Sequence, residues 1–478
     1  MSAIAELISR ADSARDRAQW AVAIALYRQV LHSFPQSASV LHNLALCFVG
    51  DGQFKQAIAL AQRVLQIDPS IWQSHILLAK SQKALGLIDA ADQSYVAVLK
   101  QHQDNPAALS GRADLALNLY GDPLSAFHLV EPLMNLPEYA MDARLVRLMA
   151  SLYDRDADLD ALALSQQVFQ FADEFLQLPS QNSLKKAPAR PKVTRANQRP
   201  RVGLLSNLFC VSPVYFLTIA GWKHVAKGCE IVILNRGHKQ DWATQVFRDV
   251  SSEWHDLQHM PALALAQTIA DLEIDVLYDL GGWMDPIGLQ ALSLCPSPQQ
   301  LKWVGGQSVT TGLHCFQGWI GDEWQSPQQF QHLYTEPLIQ VRGGYAHYTP
   351  PDYLPKPSKR KSNTPCIFSN PAKVSRAFLN YLKTIPGKKV FIHRQYRFER
   401  TQHRIREVLD NQAEFICPET HQDALMALDA HSQMIDTFPY SGGLTAREAM
   451  AMGTSLKVVQ VGELFCERHS AAYFKRAS

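Results

Sequence analysis

Apolar and polar positions repeat along residues 20–106 with a spacing of 34. Trp20, Phe54 and Ile88 fall in register, as do Ala23, Ala57 and Ala91, and Leu31, Leu65 and Leu99. Pro35 pairs with Pro69, Leu44 with Leu78 and Gly52 with Gly86, and Ala45, Ala79 and Ala113 form another set. This is the pattern of a stacked helical hairpin. Small alanines stand where two helices touch, large residues fill between hairpins, glycine makes the turn and proline closes the unit. The third copy leaves the period near Asp104-Asn105-Pro106, and amphipathic helix is predicted again at about 123–135, 141–153 and 159–177.

Residues 179–200 hold four prolines and six lysines and arginines but no acid. Such a segment buries too little apolar surface to fold, so a basic linker is expected there. Beyond it the pattern changes to short apolar runs alternating with helical stretches. Strands are predicted at 201–206, 230–234 and 301–306, and a helix, turn, strand and glycine turn over 261–282. A second set begins at 365–370, with strands at 388–393, 413–417, 432–436 and 455–460 and helices near 374–384, 401–410 and 421–429. Strand and helix in alternation imply parallel sheets, with ligands bound at the carboxyl ends of the strands. A proline- and lysine-rich stretch from Pro350 to Lys361 divides the two sets.

One stretch carries candidate chemistry. Asp436 to Gly453 runs from a strand end through Pro439, Ser441, Gly442 and Gly443 into the helix formers Thr445 to Met450. A strand, a glycine turn and a helix start gather free backbone N–H groups and a positive dipole end, which suits an anion. Glu448, one turn into the helix, is placed to accept hydrogen bonds from sugar hydroxyls. An ordinary strand–helix turn of an α/β domain has the same look.

Composition narrows the partners. The 478 residues are 47% hydrophobic and 19% charged, with a net charge of +2, so nothing global points to nucleic acid or an anionic membrane. No apolar run approaches the ~20 residues of a membrane span, and the amino terminus is charged and amphipathic rather than signal-like. The eight cysteines are scattered without a C-x-x-C pair. They predict reduced thiols of a cytoplasmic protein, with neither a zinc site nor a disulfide framework. His224, His238, His255, His259, His314 and His421 have no metal-ligand spacing, and neither a Gly-x-Ser-x-Gly elbow nor a P-loop is present.

The repeat resembles tetratricopeptide repeats, whose concave face takes peptides and proteins; self-association into a homo-oligomer is the other role such a surface serves. Taken with Arg201–Ser206, the LYDLGG run (277–282), residues 303–313, 334–344 and 370–375, the 436–453 stretch and 461–472, the chain resembles the repeat-linked peptide O-glycosyltransferases, the O-GlcNAc transferase and SPINDLY-like family. That resemblance implies repeats over 1–178, a linker over 179–200, and a GT-B pair of Rossmann-like domains. The acceptor-side domain is expected over 201–350 and the nucleotide-sugar domain over 351–478, short at its carboxyl end. It implies inverting transfer of one sugar, GlcNAc from UDP-GlcNAc, to a protein side-chain hydroxyl without metal or cofactor.

Residue by residue, the resemblance places Lys373 against the donor diphosphate, where a cation offsets charge on the departing nucleotide. Gly442, Gly443, Leu444 and Thr445 fall at the phosphates, Glu448 at the ribose, and Asn370 at a looser donor contact. His421 stands where a ring could stack on the base. Thr310, Thr311 and Ser212 fall on the acceptor side. The chain departs from the family at Leu208, where an acid is usual, at Ser212, where a histidine is usual, and at Trp283 and Gly443; its 305–312 loop is one residue longer. A GDP-fucose donor, an asparagine acceptor, or a non-catalytic repeat scaffold are the alternatives.

Overall fold

The computed structural model describes residues 3–155, 159–177 and 199–477, so all but the last two residues of the basic linker lie outside the described residues. The 34-residue spacing becomes helix starts at Trp20, Phe54 and Ile88, each helix 14 residues long. Their partners run Ala38–Gly50, Gln73–Ala84 and Pro106–Leu115. All six alanines of the repeat, 23, 57 and 91 with 45, 79 and 113, are completely buried. Gly52 and Gly86 adopt φ of +73° and +75° just past a helix end. Gln53 N–H then donates to Phe48 O and Leu87 N–H to Gln82 O, the six-to-one bond that closes a helix on a left-handed glycine. The chain divides into two compact units, Met1–Arg147 and Leu148–Ser478.

In the second unit a seven-stranded parallel sheet has the order β3-β2-β1-β4-β5-β6-β7. Its strands are β1 (Arg201–Ser206), β2 (Glu230–Asn235), β3 (Glu253–Asp256), β4 (Val276–Asp279), β5 (Gln299–Lys302), β6 (Gly318–Gly321) and β7 (Leu338–Gln340). A five-stranded parallel sheet follows in the order β10-β9-β8-β11-β12. It comprises β8 (Cys366–Ile367), β9 (Lys389–Ile392), β10 (Ala413–Ile416), β11 (Gln433–Ile435) and β12 (Ser455–Lys457). Both are doubly wound, as a GT-B pair requires. The second sheet shows why its strands read as unbroken apolar runs. Ile367, Phe391 and Ile435 join Phe378, Leu382 and Ile405 on one face, while their neighbours Cys366, Val390 and Met434 join Leu428, Ala449 and Met452 on the other.

Some elements escaped the pattern. β3 is a polar edge strand, β6 begins and ends on glycine, and β7 has only three residues. The helix Trp242–Val250 was also unforeseen. β5 stops at Lys302, short of the expected Gly306, because Val304 and Gly306 take φ of +48° and +64° and end the extended run. The helix Ala161–Phe171 lays Phe171 against Trp283, with ring centroids 5.8 Å apart. Among the described residues no helix is long and apolar enough to cross a membrane.

Candidate functional site

In a doubly wound sheet the crevice opens where the strand order reverses. For the second sheet that point lies between β8 and β11, and the segments leaving these two strands form the site. After β8, Asn370 Oδ1 accepts from Ala372 N–H at 2.9 Å and caps a 3-10 turn, Pro371–Lys373. Arg404 fixes the same turn by donating to Val374 O at 2.8 Å and Pro371 O at 3.0 Å. After β11 come Asp436, a turn through Ser441 and Gly442, and the helix Leu444–Ala451, whose amino-terminal turn has no side-chain cap.

Lys373 bridges the crevice. Its ammonium donates to Ser441 O at 2.8 Å and stands 4.3 Å from the centre of the Tyr440 ring. The side chain keeps some surface, yet the surrounding protein desolvates the charge enough to lower its pKa to about 8, with Asp436 and Cys466 pulling the other way. Asp436 is buried, and desolvation raises it to about 6 against the opposing effects of Ser470 and Lys373. It accepts from Gly442 N–H at 2.9 Å and from the Ser470 hydroxyl. Ser441 ties in the third segment: its N–H and hydroxyl both donate to Cys466 O, and His469 N–H donates to its Oγ at 2.9 Å. His469 is buried, its Nδ1 has no partner, and burial together with Lys373 holds its pKa down to about 3.

The two glycines differ. A Cβ at Gly442 would lie 2.7 Å from Thr445 Oγ1 and 2.8 Å from Asp436 Oδ1, so any other residue must push these two side chains aside. A Cβ at Gly443 would meet nothing closer than the His469 ring at 3.9 Å. One turn on, Glu448 is 1% exposed and its Oε1 lies 2.7 Å from His421 Nε2; burial raises its pKa and His421 opposes the rise. His421 Nδ1 meets the Tyr353 hydroxyl at 2.8 Å, and its ring packs on Phe216 with centroids 5.1 Å apart. Glu448 and His421 therefore form one pair, the carboxylate buried and the imidazole half-buried.

The acceptor-side candidates sit elsewhere. Thr310 and Thr311 are completely buried, and both hydroxyls donate to the buried carboxylate of Glu336, Thr310 at 2.7 Å. Thr311 N–H also donates to Glu336 at 2.8 Å, and Trp283 Nε1–H to Thr310 O at 3.0 Å. These threonines shape a loop and present no surface. Ser212 caps the helix Pro213–Val225 by position, but its hydroxyl donates to Leu208 O at 2.8 Å. Close by, Lys302 is wholly buried at 3.2 Å from Asp279 Oδ2 and donates to the carbonyls of Asp279, Val304 and Gly305. Asp279 in turn accepts from Gly281 and Gly282 N–H. This pair pins the two glycine loops that leave β4 and β5.

The loops of the two sheets meet at the site. Tyr440 OH lies 2.7 Å from Ser308 Oγ, Cys466 N–H donates to Ser308 O, and Gln325 Nε2 to Phe465 O at 2.6 Å. Asp436, Ser441, Arg404 and His469 had no assigned role in the sequence. Only their place in the recognised strings, 436–453 and 461–472, hinted at three of them.

Comparison with known proteins gives the following. Residues 8–70 and 48–115 each match a tetratricopeptide repeat family. The chain is similar to the probable UDP-N-acetylglucosamine–peptide N-acetylglucosaminyltransferase SPINDLY of Solanum lycopersicum, 24% identical over 290 residues, 56% of this chain and 30% of that protein. The Arabidopsis thaliana SPINDLY protein is 26% identical over 282 residues, 54% of this chain and 30% of its own length. The chain thus spans about 30% of the length of the curated relatives it matches. A solved O-GlcNAc transferase mutant from Thermobaculum terrenum superposes with a TM-score of 0.66 at 21% identity, over 99% of this chain and 85% of that one. The chain therefore carries tetratricopeptide repeats followed by an α/β half with the fold of that transferase.

Proposed function

We propose that the chain is a protein glycosyltransferase that binds a nucleotide sugar in the crevice between β8 and β11, with the repeats recruiting the protein acceptor. The observation that carries this reading is Lys373, held on Ser441 O across that crevice beside an uncapped helix start. The ammonium and the amides of Leu444 and Thr445 form a cradle for a diphosphate. Glu448 and His421 stand one helical turn away, where ribose and base would extend. In transfer, the bond from the anomeric carbon to the diphosphate breaks while an acceptor hydroxyl oxygen bonds to that carbon from the opposite face, inverting the centre and releasing its proton to solvent. Lys373 stabilises the charge that collects on the departing diphosphate. The donor we favour is UDP-GlcNAc, which the names of the SPINDLY relatives support. GDP-fucose suits the same cradle.

A second reading has its own support. The hydroxyls of Thr310, Thr311 and Ser212 are all engaged within the protein, and Ser212 and Leu208 stand where the resemblance leads one to expect a histidine and an acid. A scaffold that binds a nucleotide without turning it over fits that wall. Calorimetry with UDP, GDP and their sugar conjugates, followed by a transfer assay with the donor that binds, separates the two. Micromolar binding weakened about tenfold or more in Lys373→Ala, together with transfer or donor hydrolysis, establishes the enzyme. Binding without turnover establishes the scaffold, and no binding by any nucleotide overturns both.

A further inference from the structure

Three consecutive residues, Tyr153, Asp154 and Arg155, each fasten one of the three segments that build the crevice. The Tyr153 ring stacks on Tyr440, with centroids 4.9 Å apart and planes 18° from parallel. Asp154 accepts from Arg376 N–H at 3.0 Å and Nε–H at 3.3 Å, at the start of the helix Arg376–Lys383, three residues past Lys373. Arg155 reaches Glu467 Oε1 at 2.5 Å; the two side chains are 15% and 3% exposed. The other oxygen of Glu467 accepts from Glu463 and Leu464 N–H and so folds the loop that carries Cys466 and His469. The contacts differ in kind, as one is aromatic, one a carboxylate on a helix start and one an ion pair to a buried carboxylate.

We infer that Tyr153-Asp154-Arg155 is a strap of positioning residues that holds Lys373, Tyr440 and the 463–469 loop in the arrangement that takes a nucleotide diphosphate. The inference rests on the nucleotide-binding reading of that crevice. Tyr440 is the link. Its hydroxyl is anchored by Ser308 and its ring lies against both Tyr153 and the Lys373 ammonium. Releasing Tyr153 removes the stacking that keeps this ring in place, lets water reach the ammonium and unsettles the cation that faces the phosphates. The groups facing Lys373 are Asp436 after β11, His393 after β9, and Cys466 and His469 on the last segment. None belongs to the strap, so a change in Lys373 ionisation on altering Tyr153 reports desolvation through Tyr440.

The test uses the full chain as wild type, Tyr153→Ala and Tyr153→Phe. Calorimetry gives the Kd for UDP and GDP, and NMR of carbon-13-methylated lysine follows the ionisation of Lys373 without nucleotide. Tyr153→Ala is expected to weaken binding about tenfold, the scale of one aromatic stacking contact. Its Lys373 midpoint should rise from about 8 toward the ordinary value of 10.5. Tyr153→Phe keeps the ring and should behave as wild type. Should the alanine variant fail to fold, Tyr153→Leu keeps apolar bulk without the stack and is expected to show the same two changes. Folded alanine or leucine variants with wild-type affinity and wild-type Lys373 titration overturn the strap alone. A wild type that binds neither nucleotide overturns the reading beneath it, and the strap with it.

Discussion

Lys373 and Gly442 set the behaviour of the site at the scale of single residues. With the ammonium pKa lowered to about 8, a bound diphosphate stabilises the protonated form, so nucleotide affinity should fall as pH rises through 8. Lys373→Ala should cost about 1.5–3 kcal/mol of binding, the range for a hydrogen bond to a charged group. Calorimetry across pH 7–9.5 checks both. Gly442→Ala should weaken binding, because its Cβ pushes the Thr445 hydroxyl and the Asp436 carboxylate aside, whereas Gly443→Ala should leave it nearly unchanged. His393 and His469 give acid sensitivity a definite sign. Burial holds them neutral in the folded chain, at about 4 and about 3 against 6.5 unfolded. The unfolded state then takes up protons first, so stability is intact above pH 6.5 and falls as pH drops toward 4. Denaturant titrations at pH 7 and 5 should show this fall, and His469→Gln should reduce it.

Among the elements, legibility followed how local the determinants are. The repeat helices could be read because a 34-residue spacing, a buried alanine and a left-handed glycine act within one hairpin. β8, β9 and β11 could be read because both faces of the sheet are buried there. β3, β6 and β7 were missed where polar, glycine-rich or very short strands take their place from neighbours. Lys373 was placed by family resemblance alone, whereas the 442–445 turn could be read from its glycines and the helix start that follows them, the resemblance adding only the diphosphate. Thr310 and Thr311 show the limit of that approach: Glu336, far along the chain, takes their hydroxyls, and nothing near them in sequence announces it. The glycine loops test the same level. A Cβ at Gly305 would lie 1.8 Å from Leu280 O, and one at Gly306 would lie 2.2 Å from Gly281 O. Either substitution by alanine should destabilise the chain by about 4 kcal/mol or more, a clash with backbone that no rotamer relieves. Thermal melts read the loss directly.

For the whole molecule, the boundary between compact units falls inside a helix. Ala140–Tyr153 is continuous, yet its last six residues, from Leu148, belong to the second unit. That segment ends in the residues that hold Tyr440, Arg376 and Glu467, contacts that join positions up to 312 apart in sequence and leave no periodic trace. Anyone who would exchange the repeats for those of another protein, to redirect the chain to new targets, inherits this boundary. The graft has to be made before Leu148 and not at the basic segment, where composition alone invites the cut. A chimera joined at 179 would carry a foreign Tyr153-Asp154-Arg155 equivalent and should hold a nucleotide at least about tenfold more weakly, however well its new repeats fold.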